Sequence, residues 1–350
     1  MLSLPRDSKI VVRLPNALGD AIMASASLRR LAKYFDPKNI TLVGLPATLQ
    51  VLSGSTDFAS TITYDRKGKD KGIKGFLGVV GKVRELRADL AVIFPNSWST
   101  ALMFAMARVP HRLGYFKEGR RLLLTAGRAR DKDASGGFAP KYTGRYFLEL
   151  LDLIEGLPDE DPHPSLAIDE RGEEEFQLWA EASNFDRQRP LLILVPGAAF
   201  GPSKIWIPER YAEVADRLAE ERNTQVLVSY GPGEESIAES VKATLRTTPL
   251  PDAKLTLRGL KSLYQRATFV LCNDTGPRHL AVAFNIPNVT IMGPNNPAYT
   301  HLESERGEVV REDVECSPCQ LKVCPLKEQV CMTQLSAQRV FERSIANWPQ

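Results

Sequence analysis

Short apolar runs alternate with amphipathic stretches through the front half of the chain. The first run, Lys9 to Pro15, is rich in β-branched residues, and from Ala21 to Tyr34 apolar residues recur at helical spacing. Unbroken apolar runs are typical of parallel strands covered on both faces, and periodic stretches are typical of the helices that cover them. The pattern predicts strands at 9–15, 40–45, 61–64 and 90–94, and helices at 21–34, 47–52, 76–86, 100–107 and 142–155.

The back half repeats this plan. It predicts strands at 190–195, 225–230, 268–272 and 288–292, and helices at 173–183, 208–222, 234–245, 260–267 and 277–284. The stretch 157–165 between the halves is rich in Pro and acidic residues, so we interpret it as part of an interdomain linker. We therefore expect an α/β protein with two doubly wound Rossmann-like domains facing each other across a cleft. The expected ranges are 1–160, a linker at 161–172, 173–335, and a C-terminal helix at 336–350 with the N-terminal domain as a candidate packing partner.

Composition supports two soluble domains. A chain of 350 residues can form two cores, and 43% hydrophobic with 25% charged residues is typical of globular proteins. No segment approaches the ~20 apolar residues of a membrane helix. The first residues lack the basic start and apolar core of a secretion signal, so we expect a cytoplasmic location.

Charge is divided unevenly between the halves. Residues 1–165 contain 25 Lys and Arg against 17 Asp and Glu, whereas residues 166–350 contain 20 against 25. A basic half suggests an acidic partner, which could be a phosphorylated glycolipid, an anionic membrane surface or nucleic acid. A solvated surface without a partner is the alternative.

Three stretches of the back half are candidates for binding a nucleotide. Asp274 to Pro277 follows an apolar run and opens a helical stretch, and N–H groups at a helix start attract anions. Lys204, in a Gly-containing loop after strand 190–195, suits an oligophosphate, and Glu234 or Glu235 after strand 225–230 suits ribose hydroxyls. The alternatives are an ordinary βα turn, a solvated lysine and a first-turn glutamate favoured by the helix dipole.

Two further features remain ambiguous from the residues alone. Asp20, in the first strand–helix turn, could accept a proton from an attacking hydroxyl or could simply cap the helix. Four thiols in the tail could hold structural zinc, although their spacing lacks paired Cys-x2-Cys halves, or they could be packed or redox-labile thiols. These thiols belong to Cys316, Cys319, Cys324 and Cys331.

Taken together, the motifs resemble glycosyltransferase family 9, the ADP-heptose:lipopolysaccharide heptosyltransferases, and most closely their heptosyltransferase II type. The matching stretches occur in family order over nearly the whole chain. They are 14–20, 95–97, 111–114, 196–204 with Trp206, 273–277 with His279 and Leu280, and 316–319.

The resemblance implies a GT-B fold and inverting transfer with no obligatory cofactor, a divalent cation being only a candidate stimulant. It implies Asp20 as the general base and Lys204 as the group that offsets charge on the ADP leaving group. The implied donor-binding residues are Phe200, Ser203, Lys204, Glu234, Asp274, Thr275, Gly276 and His279. The implied acceptor-binding residues are Arg66, Lys67, Lys69, Lys71, Arg120 and Arg121.

The implied partners are ADP-heptose, a lipid A core acceptor and the inner membrane in peripheral contact, with no nucleic acid. Two residues depart from the family pattern. Arg278 stands where an apolar residue is frequent, and Ile205 where a basic residue is frequent. These departures leave open a GT-B transferase with another nucleotide sugar or acceptor. A non-catalytic protein that binds nucleotides or anionic glycans is the alternative of a different class.

Overall fold

The computed structural model describes residues 1–117, 119–134, 136–326 and 328–349. The chain divides into two compact units, Met1–Ala167 and Ile168–Gln350. Their boundary falls inside the stretch 161–172 that the sequence marks as the linker. Within the described residues, no helix is both long and apolar enough to span a bilayer.

The first unit is built on a parallel sheet with the strand order β3-β2-β1-β4-β5 in the described residues. Its strands are β1 (Ile10–Arg13), β2 (Ile40–Gly44), β3 (Ser60–Thr63), β4 (Leu90–Ile93) and β5 (His111–Gly114). Its helices are α1 (Leu18–Met23), α2 (Ser25–Ala32), α3 (Pro46–Val51), α4 (Gly72–Glu85), α5 (Trp98–Met106) and α6 (Thr143–Leu151). The central strands β1, β2 and β4 are buried along their whole length, as their apolar runs predict.

The second unit repeats the parallel plan, with the order β10-β9-β8-β6-β7 in the part of the chain described. Its strands are β6 (Leu191–Val195), β7 (Gln225–Val228), β8 (Phe269–Asn273), β9 (Asn288–Ile291) and β10 (Gly307–Val310). Its helices are α7 (Glu170–Ala182), α8 (Pro208–Arg222), α9 (Glu235–Thr244), α10 (Leu257–Gln265), α11 (Arg278–Ala283), α12 (Val330–Thr333) and α13 (Ala337–Ala346). The predicted α/β class is confirmed in both units.

The sequence pattern missed the edge strands β5 and β10. Both are only partly buried, so neither carries the apolar run that identifies the central strands. The helix predicted from Ala21 begins earlier, at Leu18, and is divided at Ala24.

The last helix belongs to the second unit. The sequence offered the front half as a candidate packing partner for it. Instead, Val340 and Phe341 of α13 lie in the same hydrophobic core as Trp206 and Leu218. The indole of Trp206 donates to the carbonyl of Leu335, 3.0 Å away, and so ties the chain before α13 to the second unit.

Candidate active site

Four loops of the second unit leave the same edge of its sheet. Strands β6, β7, β8 and β9 are parallel, so their carboxyl ends lie together. The amide of Asn273, at the end of β8, donates to the carbonyl of Pro196 after β6 at 2.6 Å. After β7, the carboxylate of Glu234 lies so close to Gly197 that a Cβ there would be 2.2 Å from Glu234 Oε2. The predicted nucleotide-binding stretches are therefore neighbours in space.

A buried ion pair joins two of these loops. The Nζ atom of Lys204 donates to Oδ2 of Asp274 at 2.7 Å and to the backbone carbonyl of the same residue at 2.8 Å. The two side chains are only 9% and 3% exposed. An ammonium group has three protons, so this arrangement leaves one for a ligand oxygen. The sequence predicted both residues but not that they pair.

Asp274 is held on both carboxylate oxygens. Asn295 donates its amide to Oδ2 at 2.7 Å, and Thr300 donates its hydroxyl to Oδ1 at 3.1 Å. Burial alone would raise the pKa of Asp274, but the charges of Lys204 and Arg278 outweigh it and lower that pKa to about 2. Because its oxygens are occupied, Asp274 serves to position Lys204 in this structure; its predicted contact with a sugar or phosphate stays a prediction.

Arg278 connects Asp274 to a second buried carboxylate, that of Glu305. Its side chain is fully buried, 3.7 Å from Oδ1 of Asp274, and it donates to Glu305 at 2.5 Å and to the carbonyl of Thr300 at 2.9 Å. His301 Nδ1 lies 3.0 Å from the same Glu305 oxygen. Burial would raise the pKa of Glu305, but the His301 hydrogen bond and the Arg278 charge lower it to about 2. The sequence noted Arg278 only as a departure from the family pattern.

His279 lies beside this network with an unused ring nitrogen. It is 4% exposed, and its Nδ1 atom has no hydrogen-bond partner among the described residues. Burial, together with the positive charge of Arg278, lowers its pKa to about 4, so the imidazole is neutral at pH 7. Oδ1 of Asn295 is likewise buried and unpartnered there. Buried polar atoms normally have partners, so both atoms are available to a bound molecule.

The turn before α11 is tight. Arg278 and His279 donate their backbone N–H groups to the carbonyls of Thr275 and Gly276 at 3.2 and 3.0 Å, and α11 itself begins at Arg278 rather than at the predicted Pro277. Thr275 and Gly276 are half-buried next to the Lys204–Asp274 pair. Within the described residues, their own N–H groups make no hydrogen bond. They can therefore be donors to an anion.

The loop that carries Lys204 is fastened to the cysteine-rich segment. Ser203 donates its hydroxyl to the carbonyl of Leu321 at 2.6 Å and its N–H to the carbonyl of Lys322 at 3.2 Å. Gln329 donates its amide to the carbonyl of Ser203 at 2.5 Å. Phe200 places its ring centroid 4.8 Å from Nζ of Lys204. Ser203 therefore holds the lysine loop in place, whereas its predicted contact with the donor stays a prediction.

The four tail thiols surround one cavity of about 140 Å³. Cys316, Cys319, Cys324 and Cys331 all line it. Burial and the neighbouring thiols raise the pKa of Cys331, which favours its neutral form. Within the described residues, no group of three or more His, Cys, Asp or Glu side chains is arranged to hold a metal ion.

In the first unit, Asp20 lies after the carboxyl end of β1. It is the third residue of α1, and Ala17 occupies the N-cap position without a side-chain cap. The alternative interpretation of Asp20 as the capping residue is therefore wrong. The buried guanidinium of Arg13 donates to Oδ1 of Asn16 at 2.8 Å and so fixes the loop between β1 and α1. The sequence did not single out Arg13, because a cation in a buried strand gives no local signal of its partners.

The predicted acceptor-binding cations divide into two kinds. Arg66, Lys67, Lys69, Lys71 and Arg121 are exposed. Arg120 is fully buried, and its guanidinium donates to the carbonyl of Tyr115 at 2.7 Å, to Oδ1 of Asn96 at 3.0 Å and to the carbonyl of Pro95. The prediction for Arg120 is wrong, because a guanidinium that satisfies buried carbonyls cannot also reach a surface ligand.

Comparison with known proteins decides the family. The sequence profile of glycosyltransferase family 9 (heptosyltransferase) matches residues 78–330. Lipopolysaccharide heptosyltransferase 2 of Salmonella typhimurium is 30% identical over 319 residues, which cover 87% of this chain and 88% of the relative. The enzyme of the same name from Escherichia coli K12 is 30% identical over 320 residues, with the same coverage. The chain belongs to glycosyltransferase family 9.

Solved structures agree on the fold of this family 9 glycosyltransferase. The glycosyl transferase family 9 protein of Veillonella parvula superimposes with a TM-score of 0.83 at 20% identity, over 98% of both chains. The E. coli ADP-heptose lps heptosyltransferase II superimposes with a TM-score of 0.75 at 24% identity, over 97% of this chain and 98% of that one. The GT-B fold class expected from the motifs is thereby confirmed.

Proposed function

We propose that this glycosyltransferase moves heptose from ADP-heptose to the inner core of lipopolysaccharide, with inversion at the anomeric carbon. The relatives named for heptosyl transfer to lipopolysaccharide support the substrates, and the match extends over most of their length. The observation that carries the proposal is the buried Lys204–Asp274 pair at the carboxyl edge of the second sheet, where nucleotide-binding α/β folds hold their ligands.

The donor is proposed to lie along this edge. Glu234 accepts hydrogen bonds from the ribose hydroxyls, and the free N–H groups of Thr275 and Gly276 bind the diphosphate together with Lys204. Neutral His279 and Asn295 supply further polar contacts to the phosphate or the sugar. Phe200 and Ser203 complete the set by shaping the loop that ends in Lys204.

Transfer is proposed to proceed in one displacement. The acceptor hydroxyl oxygen attacks the anomeric carbon while the bond from that carbon to the β-phosphate oxygen breaks. The hydroxyl proton goes to the carboxylate of Asp20, and the electron pair of the broken bond leaves on ADP. Lys204 stabilises that growing negative charge, which is the task a divalent cation performs in other transferases. We propose that no metal ion is obligatory, so activity should persist in EDTA.

The acceptor is proposed to be the phosphorylated, carboxylate-bearing core of lipid A. The exposed cations of the first unit suit it, because phosphates and carboxylates attract Arg and Lys. They are Arg66, Lys67, Lys69, Lys71 and Arg121.

The proposal is tested by ADP release from ADP-heptose in the presence of a lipid A core acceptor. Wild type should release ADP, and Asp20→Asn should lower kcat by about 10²- to 10⁴-fold with little change in donor affinity. The exposed Asp7→Asn serves as the matched control. The assignment fails if wild type releases no ADP, or if Asp20→Asn behaves like wild type.

The second candidate is transfer from another nucleotide sugar, because Arg278, a departure from the pattern that the resemblance implies, is buried 3.7 Å from the Asp274 carboxylate that holds Lys204. Competition binding with ADP-, GDP- and UDP-sugars decides this point. Preferential binding of an ADP-sugar supports ADP-heptose, and preference for another nucleotide would replace it.

A further inference from the structure

Four large apolar side chains of the first unit are exposed on segments that follow strands β3, β4 and β5. Ile73 and Leu77 lie one turn apart on α4 and are 78% and 46% exposed. Trp98 is the first residue of α5 and is 49% exposed, and Leu122 lies in the short helical turn Arg120–Leu123 with 93% of its surface exposed. Residues of this kind are normally covered, so their grouping calls for a partner.

The topology places these side chains at one end of the unit. The strands are parallel, so α4, α5 and the turn Arg120–Leu123 all begin beyond the carboxyl ends of the strands that precede them. The three segments are neighbours as well, because α4 packs against α5, and α5 packs against the turn. The segments that carry Ile73, Leu77, Trp98 and Leu122 therefore lie together at this end of the unit, which we call the rim.

The same rim carries a concentration of lysine. Lys67, Lys69, Lys71 and Lys74 are exposed in the loop before α4 and in its first turn. The acids in that loop are engaged locally: Asp70 accepts the N–H of Asp65 at 2.8 Å, and Asp65 accepts the N–H of Gly68 at 3.0 Å. Within the described residues these exposed lysines form no ion pair, and they lie on the same segments as the apolar tips of α4.

We propose that this lysine-rich rim docks the enzyme on an anionic lipid bilayer, with Ile73, Leu77, Trp98 and Leu122 entering the headgroup region. Apolar tips surrounded by lysines match such a surface, because the tips enter the interface while ammonium groups meet lipid phosphates. A protein partner fits less well, because protein interfaces are depleted in lysine. The inference rests on the proposed function in one respect: an acceptor anchored by lipid A presents its sugar at a bilayer surface.

The surface is tested by sedimentation of the full-length protein with vesicles. Phosphatidylcholine vesicles with phosphatidylglycerol should bind wild type, pure phosphatidylcholine vesicles should bind it much less, and salt should weaken the binding. Ile73→Ser with Leu77→Ser should weaken vesicle binding by roughly tenfold or more, since each side chain loses its buried apolar area. The control is Leu178→Ser, which removes a leucine that is 70% exposed from α7 in the second unit.

The charge contribution is tested with a second pair of variants. Lys69→Gln with Lys71→Gln should weaken binding to anionic vesicles several-fold. Lys38→Gln with Lys82→Gln removes two exposed lysines that lie before β2 and in the later part of α4, away from the rim, and should leave vesicle binding unchanged. Equal binding of all variants, or equal binding to both kinds of vesicle, overturns the docking surface.

A second readout separates this inference from the proposed function. ADP formation with a water-soluble, lipid-free core acceptor should be the same for wild type and the Ile73→Ser, Leu77→Ser variant. If transfer occurs but no variant changes vesicle binding, only the docking surface fails. If vesicle binding follows the expected pattern but no acceptor supports ADP release, only the proposed function fails.

Discussion

The ammonium nitrogen of Lys204 lies 2.7 Å from Oδ2 of Asp274, and both side chains are buried at the edge of the second sheet. Removing one partner of such a pair leaves the other as an uncompensated buried charge, so the two residues are energetically linked. The pair also fixes the position of the ammonium charge that is proposed to meet the diphosphate of the donor.

Replacing Lys204 should therefore affect catalysis more than donor affinity. Lys204→Met should lower kcat by about 10²- to 10³-fold, because it removes the charge that is proposed to stabilise the leaving group in the transition state. Steady-state kinetics of ADP release measure this. Lys322→Met is the matched control, since Lys322 also lies near the ring of Phe200 but is exposed and outside the ion pair. Equal losses in both variants would contradict the role of Lys204.

Stability should fall in acid because of two buried carboxylates. The folded pKa values of Asp274 and Glu305 are lowered to about 2, below the usual values near 4. A carboxyl group whose pKa is lower in the folded chain than in the unfolded chain stabilises the fold. This stabilisation is complete above about pH 4.5 and is lost as the pH falls towards 2. Each group should contribute about 2 to 3 kcal/mol to the free energy of unfolding at neutral pH.

Urea unfolding at pH 7 and pH 3 measures this contribution. Glu305→Gln should flatten the loss of stability between the two pH values, because its side chain cannot titrate. Asp57→Asn, at a partly exposed turn, should leave the pH dependence as in wild type. An unchanged slope in Glu305→Gln would show that the pKa of its carboxyl is the same in the folded and unfolded chain, and would contradict the lowered pKa.

One histidine should stay neutral well below its ordinary pKa. The chain contains four histidines, and burial with the charge of Arg278 lowers the pKa of His279 to about 4. An NMR titration from pH 7.5 to 5 should show no proton uptake by the His279 imidazole, whose signal is identified by its loss in His279→Gln. A titration midpoint of the His279 signal above about 6 would contradict the described environment.

Two adjacent arginines should differ sharply in their effect on stability. Arg120→Ala leaves the carbonyl of Tyr115 and the amide of Asn96 without their donor and should lower the free energy of unfolding by about 2 to 4 kcal/mol. Arg121→Ala, at an exposed position, should change it by less than about 0.5 kcal/mol. Thermal or urea unfolding decides this, and equal effects would contradict the burial of Arg120.

Much of the fold could be predicted from local pattern. The β-branched runs of β1 and β6 identify central parallel strands, and the stretches that follow them supply Asp20 and Lys204 at the expected ends. Local pattern works here because burial on both faces demands an unbroken apolar run. It fails for β5 and β10, whose edge positions tolerate polar residues.

The network behind the site could not be predicted in the same way. Arg278 is buried because Glu305, 27 residues later, and the carbonyl of Thr300 satisfy it. Asn295 falls in a Pro- and Asn-rich turn whose composition indicates only a loop. Arg120 was expected at the surface because the sequence does not reveal its acceptors, which include two backbone carbonyls and the side-chain oxygen of Asn96. Partners distant in the chain determine each of these positions.

The most direct test of the proposed function is a paired measurement on one reaction mixture of wild-type enzyme, ADP-heptose and lipid A core acceptor. Mass spectrometry follows the glycolipid while chromatography follows ADP. The acceptor should gain one heptosyl residue for each ADP formed, and Asp20→Asn should lower both signals together by about 10²- to 10⁴-fold. ADP formation without a heavier glycolipid, or no ADP at all, would contradict the proposed function.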